Sequence, residues 1–226
     1  MTKPLAIIPA RSGSKGLPNK NLCILRGIPL VAHTILCALN SRIFSDIIVS
    51  TNCRDIAKVS EEFGASIPFL RPQELAADDS KIEDCVVDII EKLGIVKNMD
   101  QVVCLLQPTT PLRSSQSLKD AYKEFLEKNS DSLVSITKGQ ALRWNSFTLK
   151  PNYDPKNRPN RQDYNYPKDN YIENGAIYFT KVRGYMEARS RIHGKVSVYE
   201  MNKLESVDID DQADLTLCEA ILSLKQ

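Results

Sequence analysis

Several large function classes are disfavoured by what this 226-residue chain lacks. It has only two histidines, His33 and His193, far apart in sequence, which argues against a histidine-based zinc site. None of its six cysteines (Cys23, Cys37, Cys53, Cys85, Cys104 and Cys218) forms a Cys-x-x-Cys pair, and several lie in apolar runs. They read as reduced, mostly buried thiols of a cytoplasmic protein rather than a disulfide framework. No apolar run approaches a membrane span, and Met1-Thr2-Lys3-Pro4 opens without a signal-peptide core, so no membrane partner is expected. A formal net charge of +2 supplies no global field for nucleic acid. Neither Gly-x-x-x-x-Gly-Lys-Ser/Thr nor Gly-x-Gly-x-x-Gly occurs in the first glycine-rich loop, which disfavours a P-loop kinase and a nicotinamide dehydrogenase. There is no internal repeat and no low-complexity tail.

What is present is an alternation of short apolar runs with amphipathic stretches. The pattern predicts strands at Leu5–Ile8, Asp46–Ser50, Val102–Leu106, Ser132–Ile136, Gly175–Phe179 and Val196–Tyr199, and a short one at Ile67–Leu70 interrupted by Pro68. Helices are expected over Pro29–Leu39 (with Ile28, Ala32, Ile35, Leu36 and Leu39 inward), Asp55–Phe63 closed by Gly64, and Leu118–Leu126. Another opens at the capping-box pattern Ser80-Lys81-Ile82-Glu83, carries a stripe of Ile82, Val86, Ile89, Ile90 and Leu93, and ends at Gly94. A last helix, capped by Asp210 or Asp211, runs through Leu224. Continuous apolar strands alternating with helices imply an α/β fold with a mainly parallel sheet covered on both faces. The length suits one domain, 1–226, with an irregular insert over 138–171 that is rich in Asn, Pro, Tyr, Lys and Arg.

Four places where strands empty into loops carry candidate chemistry. Ile7 to Asn21 holds Gly13, Gly16, Ser12 and Ser14 with the cations Arg11, Lys15 and Lys20. Glycines let backbone N–H groups approach an anion, and the cations neutralise it, so the loop suits a polyphosphate. Leu105 to Arg113 is stiffened by Pro108 and Pro111 and offers Gln107 and Thr109 as neutral hydrogen-bonding groups. Asn174-Gly175 is either a ligand approach or a turn. Asp208 and Asp210 alternate around Ile209, so both carboxylates face one way in extended backbone. They read either as magnesium ligands beside substrate phosphates or as an acidic helix start. Together the residues point to a Mg²⁺-dependent transferase that uses a nucleotide, and leave the base and acceptor open.

With those pieces in order, the chain resembles the CMP-sialic acid synthetases (acylneuraminate cytidylyltransferases) over nearly its whole length. The resemblance rests on Pro9 to Asn21, Leu70-Arg71-Pro72-Gln73-Glu74-Leu75-Ala76, Leu106 to Arg113, Asn174-Gly175-Ala176-Ile177-Tyr178 and Asp208-Ile209-Asp210. It implies a Rossmann-like sheet of the nucleotide-diphospho-sugar transferase type. The implied reaction joins CTP and a nine-carbon 2-keto sugar acid into a CMP-sugar and pyrophosphate, with Mg²⁺ or Mn²⁺ as cofactor. It further implies that Arg11, Ser14, Lys15, Lys20, Asn21, Arg71 and Ser80 bind the nucleotide and that Asp208 and Asp210 hold the metal. Arg11, Lys20 and Asp208 are the implied catalytic residues, with Asp208 or a water on the metal taking the hydroxyl proton. Gln107, Thr109 and Asn174 are the implied sugar contacts. Many sialic acid enzymes carry Arg two residues before the Asn-Gly; here Ile172 and Glu173 precede Asn174, which leaves Arg161 or Lys168 for the sugar carboxylate. That departure makes N,N'-diacetyllegionaminic acid a candidate beside sialic acid. The 138–171 segment corresponds to a dimerisation arm that would bring Arg143 over the other subunit's site. Remaining alternatives are a 3-deoxy-manno-octulosonate cytidylyltransferase, a uridylyl- or guanylyltransferase, and an inactive nucleotide-binding protein.

Overall fold

Leu5-Ala6-Ile7-Ile8 is apolar at every position because the strand it forms is covered on both faces. The computed structural model describes residues 2–14, 16–139, 144–152, 154–158 and 171–224. In chain order it contains β1 (Leu5–Pro9), β2 (Ile24–Leu25), β3 (Ile28–Pro29), α1 (Leu30–Ser41), β4 (Ile47–Ser50), α2 (Arg54–Glu62), α3 (Ile82–Lys92), β5 (Val102–Leu105) and α4 (Ser115–Glu127). There follow β6 (Ser132–Lys138), β7 (Trp144–Asn145), β8 (Lys150–Pro151), β9 (Tyr171–Lys181), α5 (Val182–Ala188), β10 (Val196–Glu200) and α6 (Gln212–Ser223).

Six strands form one sheet in the order β10-β6-β9-β5-β1-β4. β1 pairs in parallel with β4 and β5, and β10 in parallel with β6, while β9 runs antiparallel between β5 and β6. Ala6 and Ile8 of β1 point to a face closed by Val31 and Ile35 of α1 and Leu118 and Phe125 of α4. Leu5 and Ile7 point to the other, closed by Val86, Ile89 and Ile90 of α3 and Tyr185 of α5. Each such fully buried side chain contributes on the order of 1.5–3 kcal/mol. A third, smaller cluster lies off the sheet: Leu17, Leu25, Leu30 and Leu112 pack with Ile209 and with Leu215, Cys218 and Ile221 of α6. Asp211 starts α6 by accepting from the N–H groups of Ala213 and Asp214, and Asp214 reciprocates to the N–H of Asp211.

The mainly parallel α/β sheet agrees with the expectation, but several local readings do not. Ile67–Leu70 is not a strand; only Ser66 bridges to Ile48, because Pro68 removes the donor a ladder needs. Ser80 does not cap α3: its hydroxyl donates to the Glu74 carbonyl at 2.6 Å, and Lys81 stands at the cap without a side-chain bond. Leu39 and Leu93 are exposed, and Ile28 lies in the β2–β3 ribbon rather than on α1. Ala32 and Ile35 face inward as expected, joined by Val31 and Ala38. Strand β9 is 11 residues long, so Ile172 and Glu173 belong to its ladder with β6. Helix α5 had no counterpart in the sequence reading. Among the described residues no helix is long and apolar enough to cross a membrane.

One ion pair links α3 to the segment after α5: Arg191 Nε donates to Glu83 Oε1 at 2.6 Å, with the guanidinium 5.1 Å over the Tyr178 ring. Burial alone would raise the Glu83 carboxyl; the Arg191 hydrogen bond, a bond from Glu83's own backbone N–H and the charges of Arg191 and Lys81 together outweigh it, and the net shift is downward. A lowered folded value means the pair's stabilisation is complete above the unfolded Glu value and is lost as pH falls through the folded one. Urea midpoints measured between about pH 6 and about pH 3 should therefore fall more for the parent than for Glu83→Gln. Parallel curves would show that the pair contributes nothing to acid sensitivity.

Candidate active site

The glycine-rich loop after β1 is shaped by backbone geometry that its residue types permit. Gly13 has φ 79°. A Cβ on Gly16 would run into the Asp210 carbonyl oxygen, so only glycine lets this loop lie against the 207–210 segment. Leu17 is buried beside Ile209 in the third cluster. The chain then turns through Asn19 (φ 51°) into a short 3-10 turn at Lys20–Leu22. Lys20 is 9% exposed, and its Nζ donates to the Ile209 carbonyl at 2.6 Å and lies 3.3 Å from Asp210 Oδ1. Asn21 Nδ2 donates to the Arg11 carbonyl at 2.9 Å, closing the loop on itself.

Arg11 is held outward. Its guanidinium donates to the Ala76 carbonyl at 3.0 Å and to Asp78 Oδ1 at 2.7 Å. Arg71 is buried, with Nε on Ser50 Oγ at 3.0 Å and Nη2 on the Ser50 carbonyl at 2.6 Å. Burial lowers its pKa and the nearby Arg11 charge adds to that; a guanidinium stays charged through such a shift. Asn52 joins the loop to the segment after Arg71: it accepts from the Ser12 N–H and donates to Ser12 Oγ and Gln73 Oε1, each at 3.0 Å.

The loop after β5 lines the same cavity as the glycine-rich loop. It does so through Gln107, Pro108 and Thr109, and the Thr109 carbonyl accepts from the Ile209 N–H at 2.8 Å. That bond anchors the carboxylate segment: Ile209 is fully buried, while Asp208 and Asp210 on either side are exposed. Crowding by neighbouring atoms raises the Asp208 carboxyl, with the like charge of Asp210 adding to it and a hydrogen bond from Thr109 opposing it. The cavity has a volume of about 510 Å³.

The structure brings Arg11, Ser14, Lys20, Asn21, Arg71, Gln107, Thr109 and Asp210 to the lining of this cavity. Asp208 sits beside it on the same segment as Asp210. Ser80 and Asn174 do not line it. Ser80 is committed to the Glu74 carbonyl. The Asn174 amide is 6% exposed and internally bonded: Oδ1 accepts from Ser135 Oγ and the Ala176 N–H, and Nδ2 donates to Ser206 Oγ and Met201 Sδ. It ties β9 to β6 and the 201–206 turn. Glu173 Oε2 accepts from the Tyr178 hydroxyl at 3.1 Å. Lys15, Arg143, Arg161 and Lys168 lie outside the described residues. Sequence reasoning missed Pro9 and Ile82 in the lining, and the Asn52–Gln73 and Arg11–Asp78 links that brace it. An Asn two residues after an apolar strand, as in Val49-Ser50-Thr51-Asn52, was the signal available for the first of those links.

Chemically, the cavity presents a glycine loop and the cations Arg11, Lys20 and Arg71, which suits a polyphosphate. The Asp208–Asp210 pair borders it. Among the described residues no three His, Cys, Asp or Glu side chains gather as a metal cluster. Two carboxylates still fit a divalent ion that takes its remaining ligands from phosphate oxygens and water. Gln107 and Thr109 present neutral groups suited to hydroxyls or amides.

Comparison with known proteins identifies the family. A family profile described as Cytidylyltransferase matches residues 5–226. A CMP-N,N'-diacetyllegionaminic acid synthase of Legionella pneumophila is 34% identical, covering 98% of this chain and 97% of that protein. A pseudaminic acid cytidylyltransferase of Campylobacter jejuni is 33% identical, covering 97% and 96%. An N-acylneuraminate cytidylyltransferase of Escherichia coli is 36% identical over 99% of this chain, which spans 53% of that longer protein. Among solved structures, a CMP:2-keto-3-deoxy-manno-octonic acid synthetase complexed with CTP superposes over the whole of both chains with a TM-score of 0.73 at 16% identity, a likeness of fold. With a family match over almost its whole length and near-full-length relatives above 30% identity, the chain belongs to the cytidylyltransferase family, whose members are nucleotidyltransferase enzymes.

Proposed function

We propose that the protein transfers a cytidylyl group from CTP to the anomeric hydroxyl of a nine-carbon 2-keto sugar acid, releasing pyrophosphate. The observation that carries this reading is that one cavity is lined by the glycine loop with Arg11, Lys20 and Arg71, by the neutral Gln107 and Thr109, and by Asp210 of the carboxylate segment. The names of the near-full-length relatives support the acceptor class, and N,N'-diacetyllegionaminic acid is our first choice within it. The absence of an arginine at Ile172 favours that acceptor over N-acetylneuraminate. The eight-carbon acid is named by a structure at 16% identity, which speaks for the fold alone and leaves that alternative less supported.

In this reading Ser14, Lys20 and the backbone of the 12–16 loop bind the triphosphate, Arg11 and Arg71 complete the nucleotide contacts, and Gln107 and Thr109 orient the acceptor. Asp208 and Asp210 would hold the divalent metal that cytidylyltransferases generally use, which we assign as Mg²⁺. When bound, that ion supplies charge neutralisation at the phosphates and at the departing pyrophosphate. Asp208 is our candidate for taking the hydroxyl proton. The single domain 1–226 works as a homodimer, with the 138–171 arm of each subunit over the other's site. The wholly exposed Phe147 and exposed Leu149 on the β7–β8 ribbon support an arm that finds its partner in another chain.

The first test is pyrophosphate release with CTP and Mg²⁺ across N-acetylneuraminate, N,N'-diacetyllegionaminate, pseudaminate and 3-deoxy-manno-octulosonate. Turnover of a nine-carbon acid, best with the legionaminate, is expected; selective turnover of the eight-carbon acid would overturn the acceptor assignment. Asp208→Ala should lower kcat on the order of 10²- to 10⁴-fold and leave the melting temperature nearly unchanged, since its carboxylate is exposed. Near-parental kcat would remove Asp208 from the chemistry. Lys20→Ala should raise the CTP KM about tenfold or more while moving the acid KM less, as loss of a charge-assisted contact does. Light scattering that finds a fully active monomer would reject the dimer.

A further inference from the structure

Arg113 is 3% exposed, yet its hydrogen-bond partners among the described residues are all neutral. Nη1 donates to Thr110 Oγ1 at 3.0 Å and to the Ala176 carbonyl. Nη2 donates to Thr34 Oγ1 at 3.0 Å and, more weakly, to the Gln107 carbonyl at 3.5 Å. The Cys37 thiol lies against the same group, and Glu205, the carboxylate whose charge reaches it, is bonded to the Ser117 hydroxyl. A guanidinium buried without a paired acid is expensive to desolvate, and what it gains in return is geometry.

That geometry converges on one contact. The Gln107 carbonyl also accepts from the Thr110 hydroxyl at 3.2 Å, so Thr110 relays between Arg113 and the same oxygen. Gly175, at φ 69°, has no room for a Cβ because the Gln107 carboxamide oxygen occupies that space. Ala176, whose carbonyl Arg113 holds, is the next residue. One planar fork therefore grips the backbone on both sides of the Gln107–Gly175 contact, and Thr34 moors the fork to α1.

We propose that Arg113 is a positioning residue for the acceptor wall: by holding the Gln107 and Ala176 carbonyls together it sets the Gln107 carboxamide at the angle at which it meets the sugar acid. This rests on the reading that Gln107 orients the acceptor. A lysine ammonium lacks the rigid planar array of donors that reaches Thr110, Ala176, Thr34 and Gln107 together, so Arg113→Lys retains the charge and loses the fork. The acid KM should rise on the order of 10- to 100-fold, with a smaller change in kcat and an unchanged CTP Kd by calorimetry without acid. In a Gln107→Ala background the same substitution should add almost nothing, because the contact it serves is already gone. A merely structural role gives the opposite pattern: full additivity with Gln107→Ala, or equal damage to CTP binding and acid use, and either overturns the proposal. If Arg113→Lys does not fold, Thr110→Val cuts the relay to the Gln107 carbonyl and must show the same acid-selective loss; a parental acid KM there overturns it too. A Gln107→Ala enzyme with unaltered acid KM removes the reading underneath, and the inference with it, and is distinct from an additive cycle in a Gln107→Ala enzyme that is impaired.

Discussion

Everything at the candidate site depends on one contact between distant parts of the chain: the glycine loop after β1 resting on the 207–210 segment. Leu17 and Ile209 meet in a dry cluster, Gly16 leaves no space over the Asp210 carbonyl, and Lys20 donates to the Ile209 carbonyl. Those residues are nearly two hundred positions apart. Without that apolar contact, cations and carboxylates would sit on separate loops and share no volume. Burial of Ile209 also leaves both neighbouring aspartates exposed on either side of it.

The second constraint is a pair of buried guanidiniums used as scaffold. Arg71 is locked to Ser50 at the end of β4, and Arg113 to carbonyls and hydroxyls from α1, the β5 loop and β9. Both bear a desolvation cost that an apolar residue would avoid. In exchange each fixes backbone from elements that the sheet alone does not tie together. The cavity's walls are thus stiff where they need angular accuracy, while Arg11, half-exposed and bonded to the 76–78 stretch, remains at the rim.

How much of this was legible varied with the range of the forces involved. β1, β4 and β5 stood out because buried parallel strands are apolar at every position. Asp211 as the cap of α6 and Gly64 as the stop of α2 were legible because caps and left-handed turns are local. Ile67–Leu70 looked apolar enough for a strand, yet Pro68 left it without a ladder. Ser80 matched a capping box but found the Glu74 carbonyl, a competitor that sequence spacing does not display. Asn174 carried the right residue type beside a glycine, but Ser135, Ser206 and Met201 reach it from other elements and consume its amide.

By itself the sequence determined the alternation of strands and helices, the glycine- and cation-rich loop of residues 11–21, the spacing of the carboxylate pair, and through five ordered motifs the family. These follow from local rules: apolar periodicity, glycine's backbone freedom, and the charge each side chain carries. Only the tertiary structure decided which of those groups share a cavity, that β9 runs against its neighbours, that Asn174 serves the frame and that Arg113 lies buried behind Gln107. The reason is that hydrogen-bond partners and burial are properties of distance, and the chain brings Lys20 to Asp210 and Arg113 to Ala176 only after its three apolar clusters have closed.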